Sequence, residues 1–252
     1  MKPETISDSK KRKVVILGEH EQITITHSRF STGERGPDLH VHHEHTDAFY
    51  VLDGELTFEL GPESQKVRIG PGGFVAVPPL VGHSFVNEGD ADAKWLNFHA
   101  PERGFGDFLR TLREGTPGEW DSFGMPADGG LSPELVVVSP PGAGERLTTG
   151  RREVLIKCDI DDLAVVEWDL DGPFAGPEVH RHEHEVDAFY VIEGELELTM
   201  HGADERFKAG ELADVPVGVD HTFNHRADER GRVLNVHAPN RGFADTVRQM
   251  AQ

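Results

Sequence analysis

The sequence predicts an all-β protein made of two copies of one small barrel. Three observations carry that prediction. Of 252 residues, 28 are Gly and 16 are Pro, an excess that suits many tight turns and disfavours long helices. Short runs rich in β-branched and aromatic residues recur along the chain, each bounded by a turn signal. The chain also repeats itself. Between His40–Leu56 and His180–Leu196, 140 positions apart, 10 of 17 residues are identical. Leu96-Asn-Phe-His-Ala-Pro-Glu-Arg-Gly-Phe105 returns as Leu234-Asn-Val-His-Ala-Pro-Asn-Arg-Gly-Phe243, identical at 8 of 10 positions and offset by 138. Two echoes in one order at nearly one offset mark a duplicated domain, because solenoid repeats run only about 20–50 residues.

The elements follow in chain order. Residues 1–13 read as a solvated N-terminal arm carrying the basic run Lys10-Lys-Arg-Lys13. The first barrel is expected over 14–114. Its strands are Ile23-Thr-Ile-Thr-His27, Ala48-Phe-Tyr-Val-Leu52, Leu56-Thr-Phe-Glu-Leu60, Phe74-Val-Ala-Val77 and Trp95-Leu-Asn-Phe-His99. Turns are expected at Gly36-Pro37, Asp53-Gly54, Gly61-Pro62 and Gly70-Pro-Gly-Gly73. Phe105, Phe108, Leu109 and Leu112 then fall at i, i+3, i+4 and i+7, one face of a short helix. Residues 115–133, loose in Gly, Pro and Asp, read as a linker. The second barrel, 134–252, opens with Leu135-Val-Val-Val138 and closes on a shorter helix bearing Phe243, Val247 and Met250. Each helix is expected to pack on the outside of its barrel or into the contact between them.

Composition narrows the function classes. A net charge of −20 repels phosphate backbones and argues against nucleic acid as a partner. One cysteine, Cys158, excludes an internal disulfide framework, so a reducing, cytoplasmic setting is expected and the thiol is expected to pack as a small hydrophobe. No leader-like apolar stretch follows Met1, and no apolar run is long enough for a membrane span. The expected partner is a small-molecule substrate or ligand, with a homo-oligomer left open. There is no Gly-x-Ser-x-Gly elbow, P-loop or dinucleotide fingerprint.

Histidine is what stands out: 15 residues, clustered in the repeated segments. His40 and His42 are two apart, so on a strand both point to one face; His180 and His182 repeat this. After a polar bend, Asp47 shares a strand face with Phe49 and Val51, as Asp187 does with Phe189 and Val191. A later histidine follows a proline turn in each copy, His83 and His221. Each copy therefore offers three imidazoles and one carboxylate. That set suits a divalent transition ion (Fe, Mn, Ni, Co, Zn or Cu), up to one per barrel, with a position left for water or substrate.

These residues resemble the two motifs of the cupin superfamily: Gly, five residues, His-x-His, three or four residues, Glu, six residues, Gly; then Gly, five residues, Pro-x-Gly, two residues, His, three residues, Asn. His40, His42, Asp47 and Gly54 fill the first motif of copy one, and Gly72, Pro78, His83 and Asn87 the second. His180, His182, Asp187 and Gly194, then Gly210, Pro216, Gly218 and His221, do so in copy two. The resemblance implies a bicupin: two double-stranded β-helix (jelly-roll) barrels. Asp47 and Asp187 stand where the family has Glu, Leu80 replaces the second-motif Gly, and His225 replaces Asn. Asp is shorter by one bond, so each is expected either to ligate or to act beside the metal as a base. Leu80 leaves the shape of its turn in question.

The resemblance also implies function. Cupins with three His and a carboxylate include dioxygenases that cleave flavonols, diketones and aromatic acids. Phe49, Phe85 and Trp95, with Phe189, Phe223 and Trp168 in copy two, are expected to wall the substrate. The alternatives are a metal-dependent isomerase or lyase on a small sugar or acid, and a non-enzymatic metal- or ligand-binding cupin. His43, His45 and His184 read as exposed bend residues, and His99 and His237 as hydrogen-bonding groups behind the sites.

Overall fold

Alternating apolar residues fold the chain into antiparallel strands, and the computed structural model describes residues 2–116 and 118–251. It divides into two compact units, Met1–Gly142 and Ala143–Gln252. The first unit has a seven-stranded sheet in the order Glu4–Asp8, Arg12–His20, Ile23–Phe30, Ala93–Ala100, Thr46–Asp53, Phe74–Val77, Val137–Ser139. Its second sheet runs Phe123–Gly124, His40–Val41, His83–Val86, Leu56–Leu60, Gln65–Ile69. The second unit repeats this plan with six strands (Glu145–Thr149, Arg152–Asp159, Ala164–Asp171, Arg230–Ala238, Val186–Glu193, Leu212–Val215) and four (Phe174–Ala175, His221–His225, Glu195–Met200, Ala203–Lys208). Neighbours in space are often distant in sequence, which makes each unit a jelly roll rather than a meander.

Strand alternation decides what lies inside. In the first barrel Phe49, Val51, Phe58, Val75, Phe85 and Trp95 form one buried cluster; Phe189, Val191, Leu198, Ala213, Phe223 and Val233 repeat it in the second. Asp47 therefore faces the interior with Phe49 and Val51, and Asn97 and His99 face it with Trp95. Cys158 is buried, and burial pushes its thiol up to about 12, which leaves it inert.

Two helices were expected, and the described residues form two α-helices, α1 (Phe105–Arg113) and α2 (Phe243–Met250). Each packs within its own unit. Leu109 of α1 joins Ile6 and Ile16, while Ala244 and Val247 of α2 join the second barrel's core.

Three segments differ from expectation. Residues 4–8 of the supposed arm form a strand paired with Arg12–His20, because Ile6 finds an apolar seat and Glu4 meets Arg110 and Arg113 of α1. The basic run Lys10–Lys13 forms the turn after that strand and enters the next one. Within the supposed linker, Phe123–Gly124 pairs with His40–Val41, so the segment closes over the first barrel. Val137–Ser139 does not open the second unit; it pairs with Phe74–Val77, whose outer edge would otherwise be left bare.

The two turns after the proline converge despite their different residues. Leu80 N–H donates to His42 O (2.7 Å) and Gly218 N–H to His182 O (2.8 Å), and both residues have left-handed backbones, φ 65° and 77°. Leu80 thus adopts the glycine conformation at a cost of about 1–2 kcal/mol. Leu80→Gly is expected to raise stability by roughly 0.5–1 kcal/mol, the strain relieved less glycine's extra chain entropy. Urea denaturation would read this as a higher midpoint at an unchanged slope.

Candidate metal centres

The barrel register brings the sequence-predicted residues together. His40 and His83 are direct cross-strand partners, and His180 and His221 exchange both backbone hydrogen bonds. His180, His182, Asp187 and His221 each bring one ligand atom within 4.8 Å of the others. His40, His42 and His83 do the same in the first barrel. Asp47 lies just outside that set, with Oδ2 3.2 Å from His83 Nε2 and 3.7 Å from His42 Nε2.

Every one of the six imidazoles is held by its outer nitrogen. His40 Nδ1 donates to Asp38 O (2.9 Å), His42 Nδ1 to Asp121 O (2.5 Å) and His83 Nδ1 to Val81 O (3.1 Å). His180 Nδ1 donates to Glu178 O (3.0 Å), His221 Nδ1 to Val219 O (3.0 Å) and His182 Nδ1 to Glu185 Oε1 (3.0 Å). Carbonyl and carboxylate oxygens only accept, so each Nδ1 carries a proton and each Nε2 faces inward, where Nε2 of His83 meets Asp47 Oδ2 (3.2 Å) and Nε2 of His221 meets Asp187 Oδ2 (3.1 Å). Nε2 of His42 and of His182 is buried with no hydrogen-bond partner. A buried, unpaired imidazole nitrogen costs free energy unless something coordinates it, so the donor set fits a cation.

The carboxylates are fixed by residues the sequence did not single out. Asn97 Nδ2 donates to Asp47 Oδ1 (2.5 Å), and Asn235 Nδ2 to Asp187 Oδ1 (2.5 Å). That leaves Oδ2 of each facing the imidazoles. Burial alone would raise both carboxyls. Around Asp47, the neighbouring rings of His99, His42 and His83 outweigh it; around Asp187, those of His237 and His221 do. Both are held well below the usual carboxylate range. Burial in turn drives His40 down to about 3, helped by His83 and His42.

Behind each cluster the barrels diverge. His45 is fully buried, not an exposed bend residue; it contacts His99 Nδ1 at 2.9 Å and Asp121 Oδ2 at 2.8 Å. Burial lowers it to about 4. Its counterpart Glu185 accepts from both His182 and His237 Nδ1 (2.9 Å) and is lowered to about 2, the two imidazoles outweighing its burial. Burial opposes charge on His237, but Asp187 and Glu185 overcome it and push the ring up to about 9. His99 moves the other way, well below its ordinary value, because burial dominates and His45 adds no negative charge. His43 and His184 are exposed as expected. Phe105 and Phe243, at the starts of α1 and α2, lie on His99 and His237 with ring centroids 3.6 Å apart.

The first cavity, about 300 Å³, is capped by Trp120, whose ring lies 5.0 Å from that of His42. Asp121 holds the cap in place by accepting from the His43 and Glu44 amides. The second cavity, about 530 Å³, has no counterpart of Trp120 among the described residues that line it, and the His182 side chain is 21% exposed against 2% for His42. Phe85, Trp95, Phe223 and Trp168 line these cavities as expected. Phe49 and Phe189 do not; they lie in the core.

Comparison with known proteins identifies the fold. The cupin domain family matches residues 26–99 and 170–237, more than half the chain. The chain belongs to the cupin family. Its two matched regions make it a bicupin, one cupin domain per barrel. Over 64 residues it is 34% identical to quercetin 2,3-dioxygenase from Bacillus subtilis (strain 168), a match covering 25% of this chain and only 18% of that protein. Among solved structures, AerE from Microcystis aeruginosa superposes with a TM-score of 0.68 at 11% identity, covering 94% of this bicupin and 97% of that chain. Lactobacillus farciminis oxalate decarboxylase, as its formate complex, gives 0.64 at 14% identity, covering 95% and 85%. At these identities the structural matches show the cupin fold alone. Among the described residues, no helix is long and apolar enough to cross a membrane.

Glu185 is expected to act on the second centre through His182. Glu185→Gln keeps the shape but removes the charged acceptor, and should weaken metal binding in the second barrel about 10–100-fold. A competition titration with a chromogenic chelator would register one weakened site per chain and one unchanged.

Proposed function

We propose that this bicupin is a metal-dependent dioxygenase acting on a small organic substrate, with His40, His42, Asp47 and His83 as one ligand set and His180, His182, Asp187 and His221 as the other. One observation carries the reading: in each barrel three imidazoles are pinned through Nδ1 and bring a ligand atom within 4.8 Å of one another. When bound, a divalent transition ion supplies a Lewis acid that polarises a substrate oxygen and, if redox-active, a route for electrons to dioxygen. The local similarity to a quercetin dioxygenase supports the oxidative choice over an isomerase or lyase.

The chain's own residues do the rest. Asn235 immobilises one oxygen of Asp187 and leaves Oδ2 to complete the donor set or to take a substrate hydroxyl proton. Trp168, Phe174, Phe223 and Phe243 give the second cavity an apolar wall. The larger second cavity and its more exposed His182 support substrate exchange in the second barrel, while Trp120 beside His42 supports slower exchange in the first.

Elemental analysis of protein purified without a histidine tag tests the metal. Oxygen uptake with a flavonol, a β-diketone and an aromatic hydroxy acid tests the reaction. The expected result is two metal ions per chain, with uptake abolished by His182→Ala and largely kept in His40→Ala. Metal-free protein, or turnover without oxygen consumption, overturns the proposal.

A further inference from the structure

A further convergence of donors shares one residue with the ligand set of the second barrel. His182, Glu185 and His237 each bring one ligand atom within 4.8 Å of the others. Glu185 Oε1 sits between two imidazoles, 3.0 Å from His182 Nδ1 and 2.9 Å from His237 Nδ1. The two rings stand nearly perpendicular, at 85° with centroids 4.9 Å apart, so they meet the carboxylate from different directions. A tetrahedral ion about 2.1 Å from its donors spaces them roughly 3.4 Å apart, so the set has to open by only about 0.5 Å.

Hydrogen bonds leave part of this set unanswered. Glu185 is 6% exposed, and its Oε2 has no hydrogen-bond partner among the described residues; neither has Nε2 of His237. A buried carboxylate oxygen without a donor costs free energy that a cation recovers. Two imidazoles and one carboxylate also form a donor set that holds divalent ions with a position left for water. All three residues line the second cavity, which gives an ion its way in. The first barrel serves as an internal control. His42, His45 and His99 converge there too, but without a carboxylate in the set. His45 Nε2 and His99 Nδ1 already meet at 2.9 Å. Asp121 holds the Nδ1 atoms of His42 and His45, and Trp120 lies against both rings.

We propose that Glu185, His237 and the Nδ1 of His182 form an additional cation site in the second barrel, beside the centre that His182 serves through Nε2, and that it takes a borderline divalent ion such as copper or zinc. The ion replaces the protons that His182 and His237 donate to Glu185, and these pass to water. With both neighbouring ions bound, the His182 ring bridges them as an imidazolate. Nothing in this site depends on the reaction the barrel catalyses. Filling it costs protons and sets two cations on one ring, so it is the weaker site. Protein purified without added metal therefore carries two ions and takes a third only when metal is supplied.

Copper is the probe, because a bridging imidazolate couples the spins of two copper(II) ions. The full chain is stripped, loaded with two copper(II) ions, cleared of loose metal on a weakly chelating resin and given one further equivalent. Wild-type protein is expected to retain the third ion in equilibrium dialysis. Its EPR intensity at liquid-helium temperature should nevertheless fall from two spins per chain to one, because the two ions of the second barrel pair and only the first barrel's ion stays visible. His237→Gln should keep the first two ions and lose the third. His184→Gln, at an exposed histidine beside Glu185, should change neither result. A rise to three spins places the added ion on the surface and overturns the proposal, as does a third ion held equally well by His237→Gln. If that variant fails to fold, the wild-type spin count still decides.

Discussion

His221→Ala is expected to strip the second barrel of its metal and leave the first loaded. His221 sits at the start of its strand, with Nδ1 tied to Val219 O and Nε2 3.1 Å from Asp187 Oδ2. It is 1% exposed, so water has no easy route to replace the lost nitrogen. Four protein donors sharing a binding free energy of about 10–16 kcal/mol contribute on average about 3 kcal/mol each. Losing one therefore weakens binding on the order of 100-fold. His83→Ala should give the mirror result. Elemental analysis after dialysis against a weak chelator would find one ion per chain in either variant and none in the double variant. Retention of two ions in His221→Ala would mean that the three imidazoles are not the ligand set.

Asp187→Asn in the metal-free protein has the second large effect, and its size depends on pH. Asp187 lies 3.1 Å from His237 Nε2 and also faces His221. The His237 ring is pushed up to about 9, above its unfolded value near 6.5. Such a group stabilises the fold fully below about pH 6.5, and that stabilisation is lost as pH rises through 9. Metal-free wild-type protein should thus lose roughly 3 kcal/mol from its second barrel across that interval. Asp187→Asn leaves the buried imidazolium half-compensated, by Glu185 alone. At pH 6.5 it should cost about 3–5 kcal/mol, the usual penalty for removing one partner of a buried pair, and the pH dependence should flatten. Hydrogen exchange in peptides from Val186–Glu193 and Arg230–Ala238 reads the second barrel separately. An Asp47→Asn variant should show no matching slope, because burial holds His99 well below its ordinary value and so without that charge.

The duplicated barrel was legible because its signals are local. Strand alternation put Asp47 on the face of Phe49 and Val51, and the two-residue spacing put His40 beside His42; neither inference needed a fold. The repeat then supplied an internal control, since a chance His-x-His would not recur with Asp and a later His at matching distances. What could not be read was everything set by a long-range partner. His45 looked like a bend residue because its neighbours are polar, yet Asp121 and His99 bury it from 76 and 54 positions away. Trp120 looked like part of a linker because Gly and Pro surround it. Its one legible signal was an apolar minority, Trp120, Phe123 and Met125, in a segment otherwise composed like a tether. Likewise Glu185 was hidden until the repeat was read position by position, where it faces His45.

By itself, then, the sequence determined the class of chain and the duplication and pointed to the eight residues proposed as the two ligand sets, because periodicity and spacing encode which side chains share a face. Only the tertiary structure decided how the two sets differ. Trp120 folds back over the first cavity, and no counterpart lines the second among the described residues. A neutral carbonyl steadies His42 where a carboxylate steadies His182. The physical reason is the same in each case: charge, burial and hydrogen bonding depend on which distant groups are brought within a few ångströms, and a single strand's pattern carries no record of its partners.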